Sequence, residues 1–381
     1  MIGFQFSEEQ EQIRKTARQF AEAEIRPVAA HYDESEQLPW PILERAAQIG
    51  LTTYRYPEKY GGGGIESLLT ACLITEELSW GCAGIANALL GCDTVAIPIL
   101  LTGTEAQKER YIRLFCDQNK VRLGAFAITE AEAGSDVTAL RATAKRNGNV
   151  YLLNGRKQYI TFGGVADLYL VFAKVDSAGI TAFLVEAKTP GLSAGKKERK
   201  MGMRASEVCE VTLENVRIPV ENRLGQEGQG FYIAMKTFEY SRPLIASLAL
   251  GVARAAYEYA LDYAKQRVQF NKPIITNQAI GFMLADMATE IEAARLLIWK
   301  AAWMIDQGLG ANTAASMAKA YATDLAMQVT TNAVQILGGN GVMRDYPVEK
   351  WMRDAKILQI IEGTSQIQRM IISQLLAVGQ K

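Results

Sequence analysis

Between about residues 121 and 225 the chain consists of short runs of alternating apolar and polar residues, cut by Asn147-Gly148 and Asn154-Gly155. Asn-Gly supplies the left-handed backbone that tight hairpin turns need, so the spacing predicts ATAKR turning into NVYLL at the first pair and VYLL turning into RKQYIT at the second. Further strands are expected over Leu123–Thr129, Asp167–Val175, Ile180–Ala187 and Val208–Ile218. This β segment lies between two helical regions instead of alternating with helices, which disfavours a doubly wound parallel sheet. The expected order is an N-terminal helical domain over 1–120, a middle β domain over 121–225 and a C-terminal four-helix bundle over 226–381.

The first helix is predicted to start at Ser7-Glu8-Glu9-Gln10, a capping box, with Ile13, Ala17, Phe20 and Ala21 following at helical spacing. Helical spacing continues to about Phe115, broken at Tyr56-Pro57 and the run Gly61 to Gly64. Four glycines suit either a flexible connection or a backbone passing close to another group. In the last third, Ile280, Leu284, Met287, Ile291, Ala294, Ile298 and Ala301 step by three and four, which marks a bundle seam. Helices are also expected over Ser241–Phe270 and Thr313–Leu337, the second stopped by Gly338-Gly339-Asn340-Gly341.

Composition narrows the chemistry. Of 381 residues, 41 are Lys or Arg and 41 are Asp or Glu, so no global field attracts a polyanion, and nucleic acid is not an expected partner. The N-terminus lacks the basic-then-apolar order of a secretory signal, no window reaches the uninterrupted apolar length of a membrane span, and the expected location is the cytoplasm. Five cysteines without C-x-x-C spacing suggest reduced, packed thiols and no zinc site. His31 is the only histidine, and its helix-end context favours a solvated residue, so chemistry must rest on carboxylates, backbone amides or a bound cofactor.

No G-x-x-x-x-G-K-[ST] or strand-to-helix G-x-G-x-x-G is present, and Leu224–Gly230 reads as a connecting turn. Two segments stand out. In Ala127–Val137 a strand runs into small and hydroxylic residues that can offer N–H groups to an anion or a polar ring edge. In Ile360-Ile361-Glu362-Gly363-Thr364-Ser365 a carboxylate stands between apolar residues and a Gly-Thr-Ser turn. Walls formed by Ile360 and Ile361 would raise its pKa and make it a better base, while a glutamate aiding a helix dipole explains the same segment equally well.

Taken together, AITEAEAGSDV, NGRKQYIT, RLGQEGQGF, QRVQFNKPI, QILGGNG, YPVEKWMRDAKI and IIEGTSQIQRMII resemble the acyl-CoA dehydrogenase family, in that family's order over about residues 7–375. The resemblance implies a mainly α fold with a central β-barrel-like domain, FAD as cofactor, an acyl-CoA substrate, an electron-transfer flavoprotein as acceptor, and a homotetramer built as a dimer of dimers. Glu362 matches the base that removes the α-proton while the β-hydrogen leaves as hydride to flavin N5, giving a trans-2-enoyl-CoA. Phe126, Ile128, Thr129, Gly134 and Ser135 match the flavin-lining strand and loop, and Tyr159, Ile160 and Thr161 a second flavin contact. Arg267, Gln269, Phe270 and Gln278 match the grip on FAD pyrophosphate and adenine from the neighbouring subunit, as do Gln335, Gly338 and Gly339 for another part of that cross-subunit site. Thr364 and Gln366 follow the base toward the cofactor.

Some relatives carry the base as a Glu immediately before an Arg on a bundle helix. That position here is Ser241, so Glu362 keeps the role. Ser135, Glu239, Ser241 and Arg242 match the stretch that meets the pantetheine and nucleotide of CoA. Ala86, Asn87, Leu90 and Thr94 match the far end of the acyl pocket and suit a short to medium chain, straight or branched. Departures from the family pattern are Ala131-Glu132, Phe162, Asn271 and Ile361, none of which removes a chemically active side chain. Lys196, Lys197, Arg199 and Lys200 could meet CoA phosphates or a carrier's acidic face, or form a solvated loop. Competing readings keep the fold but act on a carrier-protein-bound acyl group or reoxidise with oxygen, or make the chain a non-catalytic helical scaffold.

Overall fold

The computed structural model describes residues 5–117, 120–176 and 178–378. Helix α1 (Glu8–Phe20) opens with the expected capping box: Gln10 N–H donates to Ser7 Oγ and Ser7 N–H to Gln10 Oε1, both at 3.1 Å. It runs through a π turn (Ala21–Ile25) and a 3-10 turn (Arg26–Val28) into α2 (Ala29–Ser35), followed by α3 (Trp40–Gln48), α4 (Leu68–Gly81), α5 (Ala83–Leu89), α6 (Asp93–Thr102) and α7 (Glu105–Phe115). The glycine run between α3 and α4 is a close approach. A Cβ at Gly62 would lie 2.1 Å from the Tyr56 carbonyl oxygen, and Gly64 N–H donates to that oxygen at 2.9 Å.

The middle of the chain forms β1 (Gly124–Ala127), β2 (Thr143–Asn147), β3 (Val150–Thr161), β4 (Leu168–Val175), β5 (Gly179–Glu186), β6 (Leu192–Lys197), β7 (Val208–Pro219) and β8 (Arg223–Leu224). Their order is β6-β7-β3-β2-β4-β5-β8, with β1 parallel to β4. Asn147-Gly148 makes the expected hairpin, Asn147 facing Val150 and Gly148 taking φ 59°. Asn154-Gly155 does not turn the chain, because β3 runs straight through it. It faces a bulge instead: Leu153 pairs with Val216 and Gly155 with Leu213, and the extra residue on β7, Asn215, takes φ 53° and donates its N–H to Asn154 Oδ1 at 2.8 Å. Lys196 and Lys197 lie on the edge strand β6, which sequence patterning did not reveal.

The C-terminal third holds α8 (Gly230–Gln266), the small hairpin β9 (Val268–Gln269) and β10 (Lys272–Pro273), α9 (Gln278–Asp306), α10 (Asn312–Leu337), a 3-10 turn (Gly338–Val342), α11 (Val348–Leu358) and α12 (Ser365–Val378). Helix α8 starts earlier than predicted and stops before Arg267, so Phe270 sits on the hairpin. The expected seam of α9 is buried from Leu284 to Ala301, with Ile280 half-buried. Helix α4 packs on α8 and α9, and α10 on α8, α9, α11 and α12, so one apolar core joins the N-terminal and C-terminal helices. The stretch Ala83–Thr102 and helix α8 are apolar and long enough to cross a membrane, but both are mostly buried inside this core. All five cysteines are free and buried, and His31 is exposed.

Candidate active site

Glu362 occupies a turn between α11 and α12 where two successive residues have positive φ, Glu362 at 51° and Gly363 at 91°. A non-glycine residue in the left-handed region costs about 1 kcal/mol or more, so the surrounding structure must impose the turn. Two donors do so. Gln368 Nε2 reaches the Glu362 carbonyl at 3.2 Å and the Gly363 carbonyl at 3.0 Å, and Lys319 Nζ, rising from α10, reaches the Gly363 carbonyl at 2.8 Å. Ser365 N–H closes the turn on the Gln359 carbonyl at 3.0 Å. The Glu362 N–H meets no acceptor among the described residues.

The carboxylate points back to α8, where Ser241 Oγ donates to Glu362 Oε2. Burial pushes the Glu362 carboxyl above its usual range; the Ser241 hydrogen bond and the positive charges of Lys319 and Arg242 pull the other way, and Asp93 adds to the rise. Ile361 packs on the core as expected, but Ile360 is 52% exposed, so the enclosure comes from α8 and α10 and not from both flanking isoleucines. Arg242 is buried beside Ser241, donating to Asn312 Oδ1 at 2.7 Å and Ser316 Oγ at 3.3 Å, while its Nε has no partner. Burial lowers its pKa to about 10. Glu239 accepts from Lys236 Nζ at 2.9 Å and from Ala311 N–H at 3.1 Å.

On the sheet side, Gln158 N–H donates to the Thr129 carbonyl at 2.8 Å, which sets Tyr159, Ile160 and Thr161 next to Ile128 and Thr129. Phe126 packs its ring against Phe172 and Phe238, at 4.9 and 5.4 Å between centroids. Ile128 and Ile160 are buried, whereas Tyr159 stands 62% exposed with φ 57°. The hydroxyls of Thr129 and Thr161 have no partner among the described residues, and a Cβ at Gly134 would meet open space. Partnerless hydroxyls, an open glycine and an exposed aromatic ring thus leave both polar and apolar groups free for a ligand at this end of the sheet. Lys157, fully buried on β3, secures this edge by donating to the Ile128 carbonyl at 3.2 Å and to Glu130 Oε1 at 2.7 Å.

Arg267, Gln269, Phe270, Gln278, Gln335, Gly338 and Gly339 all lie exposed at the outer ends of α8, α9 and α10, apart from the Glu362 turn. Phe270, 91% exposed at φ 52°, projects from its hairpin. Thr364 Oγ1 accepts the Ile367 N–H at 3.2 Å, and Gln366 is exposed on the first turn of α12. Ala86 is fully buried and Leu90 half-buried on and just after α5, and Asn87 donates to Ser206 Oγ at 2.9 Å. Lys319, Gln368 and Lys157 escaped sequence reasoning, because a lone lysine or glutamine on a helix or strand carries no local sign of being inside.

Family models for the N-terminal, middle and C-terminal domains of acyl-CoA dehydrogenase match residues 7–119, 125–216 and 228–377. An acyl-CoA dehydrogenase of Bacillus subtilis is 46% identical over 378 residues, covering 98% of this chain and 99% of the relative. The solved butyryl-CoA dehydrogenase of Megasphaera elsdenii is 43% identical with a TM-score of 0.95, covering 99% of this chain and 100% of that one. The crystal structure of the prolyl acyl carrier protein oxidase AnaB is 34% identical with a TM-score of 0.93, covering 98% of this chain and 100% of that one. The chain therefore belongs to the acyl-CoA dehydrogenase family of FAD-dependent oxidoreductases.

Proposed function

We propose that the chain converts an acyl-CoA thioester to the trans-2-enoyl-CoA, with Glu362 as the catalytic base. The observation that carries this reading is the Glu362 turn: a carboxylate with a raised pKa, steadied by Ser241, beside a backbone N–H that has no protein acceptor. The α-hydrogen of a thioester is weakly acidic, so a base works only if charge developing on the carbonyl oxygen meets a donor. The Glu362 N–H serves as that donor, and the carboxylate takes the α-proton. FAD, when bound, accepts the β-hydrogen as hydride. Phe126, Ile128, Thr129, Gly134 and Ser135, with Tyr159 to Thr161, orient it, and Thr364 and Gln366 complete the site.

Arg267, Gln269, Phe270, Gln278, Gln335, Gly338 and Gly339 reach the FAD of a neighbouring subunit in a homotetramer, which accounts for their exposure in a single chain. Ser135, Glu239, Ser241 and Arg242 line the CoA side, and Ala86 and Leu90 bound a short to medium acyl group. Electrons then leave for an electron-transfer flavoprotein, in the cytoplasm. The likeness to a carrier-protein oxidase supports one second reading, an acyl group tethered to a carrier protein with oxygen as acceptor.

Anaerobic titration of the FAD-loaded protein with straight and branched acyl-CoAs tests the reading through loss of oxidised flavin absorbance. Bleaching by one chain length supports it, and Glu362→Gln should stay yellow while losing most of that bleaching. Equal bleaching by a pantetheine thioester and the CoA ester would favour the carrier-bound substrate. Full bleaching in Glu362→Gln would remove Glu362 as the base.

A further inference from the structure

Lys319 is fully buried in α10, where Ala315, Ala318 and Ala322 on the same helix are also buried. A lysine is seldom sealed in this way without a contacting carboxylate, because removing an ammonium from water costs several kcal/mol. No carboxylate lies within ion-pair distance of it among the described residues, and its hydrogen-bond partner is the Gly363 carbonyl at 2.8 Å. Burial lowers its pKa to about 8, with Glu362 and Asp324 opposing that shift and Arg242 adding to it.

We propose that Lys319 is a positioning residue for the base: it clamps the left-handed turn that aims Glu362 and sets a positive charge behind that turn, outside ion-pair distance of the carboxylate. This rests on reading Glu362 as the base. The clamp has a geometric reason. Gly363 sits at φ 91°, where an L side chain is strained, and a Cβ there would also displace the Gln368 amide that bonds this turn, at 2.7 Å from its Nε2, so the shape is held through the carbonyls. Gln368 supplies one neutral donor to the Gly363 carbonyl, and Lys319 the second and charged one. The charge also has a consequence. Burial and Asp93 on α6 favour the protonated acid, while Ser241 and Arg242 on α8 and Lys319 on α10 favour the carboxylate. Removing one cation shifts that balance toward the acid, which is inactive as a base.

The test compares Lys319→Met, which can neither donate nor carry charge, with Lys319→Gln, which keeps a donor, in the FAD-loaded protein. The first readout is the titration of the Glu362 carboxyl by isotope-edited infrared spectroscopy, assigned by its absence in Glu362→Gln. The second is the pH profile of flavin reduction by acyl-CoA. Lys319→Met should move the carboxyl titration and the acid limb of the profile upward by about one pH unit, and lower kcat about tenfold or more with little change in KM. Lys319→Gln should show the upward shift with a smaller loss of kcat, and it remains measurable where Lys319→Met does not fold. A merely structural lysine would lower the melting temperature and leave the carboxyl titration where it was in either folded variant, which overturns the proposal. If no acyl thioester reduces the wild-type flavin, the functional reading fails, yet the infrared titration still decides the role of Lys319.

Discussion

Ser241 Oγ hydrogen-bonds Glu362 Oε2 across 121 positions of sequence, joining α8 to the turn before α12. The serine stabilises the charged form of the carboxylate against the burial that raises its pKa.

Ser241→Ala should therefore raise the Glu362 pKa further. A lost hydrogen bond to a charged group is worth about 1.5 kcal/mol, or about one pH unit. The acid limb of flavin reduction at saturating acyl-CoA should move upward by that amount. A limb that stays in place would show that the contact does not tune the base.

Lys157 and Glu130 form a buried ion pair at 2.7 Å just beyond the end of β1, with the Glu130 carboxylate also accepting the Arg141 and Ala142 N–H groups. Burial lowers the Lys157 pKa to about 8 in spite of Glu130. Burial would raise Glu130, but Lys157 and the two amides hold it below the usual carboxylate range. Lys157→Met leaves that carboxylate without its cation, which should cost about 3–5 kcal/mol and weaken FAD retention. Thermal unfolding and FAD release measure both effects. Lys157→Met with Glu130→Gln should recover part of the stability, and no recovery would place the loss in packing alone.

Asp306, at the end of α9, caps α4 from outside it, its two oxygens accepting Leu68 N–H at 2.6 Å, Ser67 Oγ at 2.8 Å and Leu69 N–H at 3.1 Å. Asp306→Ala frees these donors and should lower stability by about 1–2 kcal/mol, read from the denaturation midpoint. The flavin spectrum should not change. Stability within about 0.3 kcal/mol of wild type would mean that water replaces the cap.

The sequence carried the outline of this fold because most elements announce themselves locally. Ser7 and Gln10 start a helix, Asn147-Gly148 turns a hairpin, and the seam from Leu284 to Ala301 repeats at helical spacing. The motif marks Glu362 as a candidate base but does not foretell its enclosure, since Ile360 faces outward and the wall comes from helices remote in sequence. Lys319 looks like any solvent-facing helical lysine, and only tertiary packing makes it interior. The edge strand β6 was hidden because LSAGKK has neither alternation nor β-branched residues.

The two Asn-Gly pairs give opposite structures from the same dipeptide, and the difference can be measured. At the Gly148 hairpin a Cβ would meet nothing within 4 Å, so Gly148→Ala suffers only from φ 59°, a cost of about 1 kcal/mol. At Gly155, φ 149° is joined by a Cβ only 2.7 Å from Ala142 Cβ and 2.8 Å from its Cα. Ala142 is one of the two residues whose N–H holds Glu130, so the added methyl pushes on the strand end that carries the Lys157 ion pair. Gly155→Ala should cost about 2–4 kcal/mol by combining strain with overpacking, and should loosen FAD as Lys157→Met does. Equal melting temperatures for the two alanine variants would show that the sheet yields at Ala142 and that the close approach is not what requires glycine.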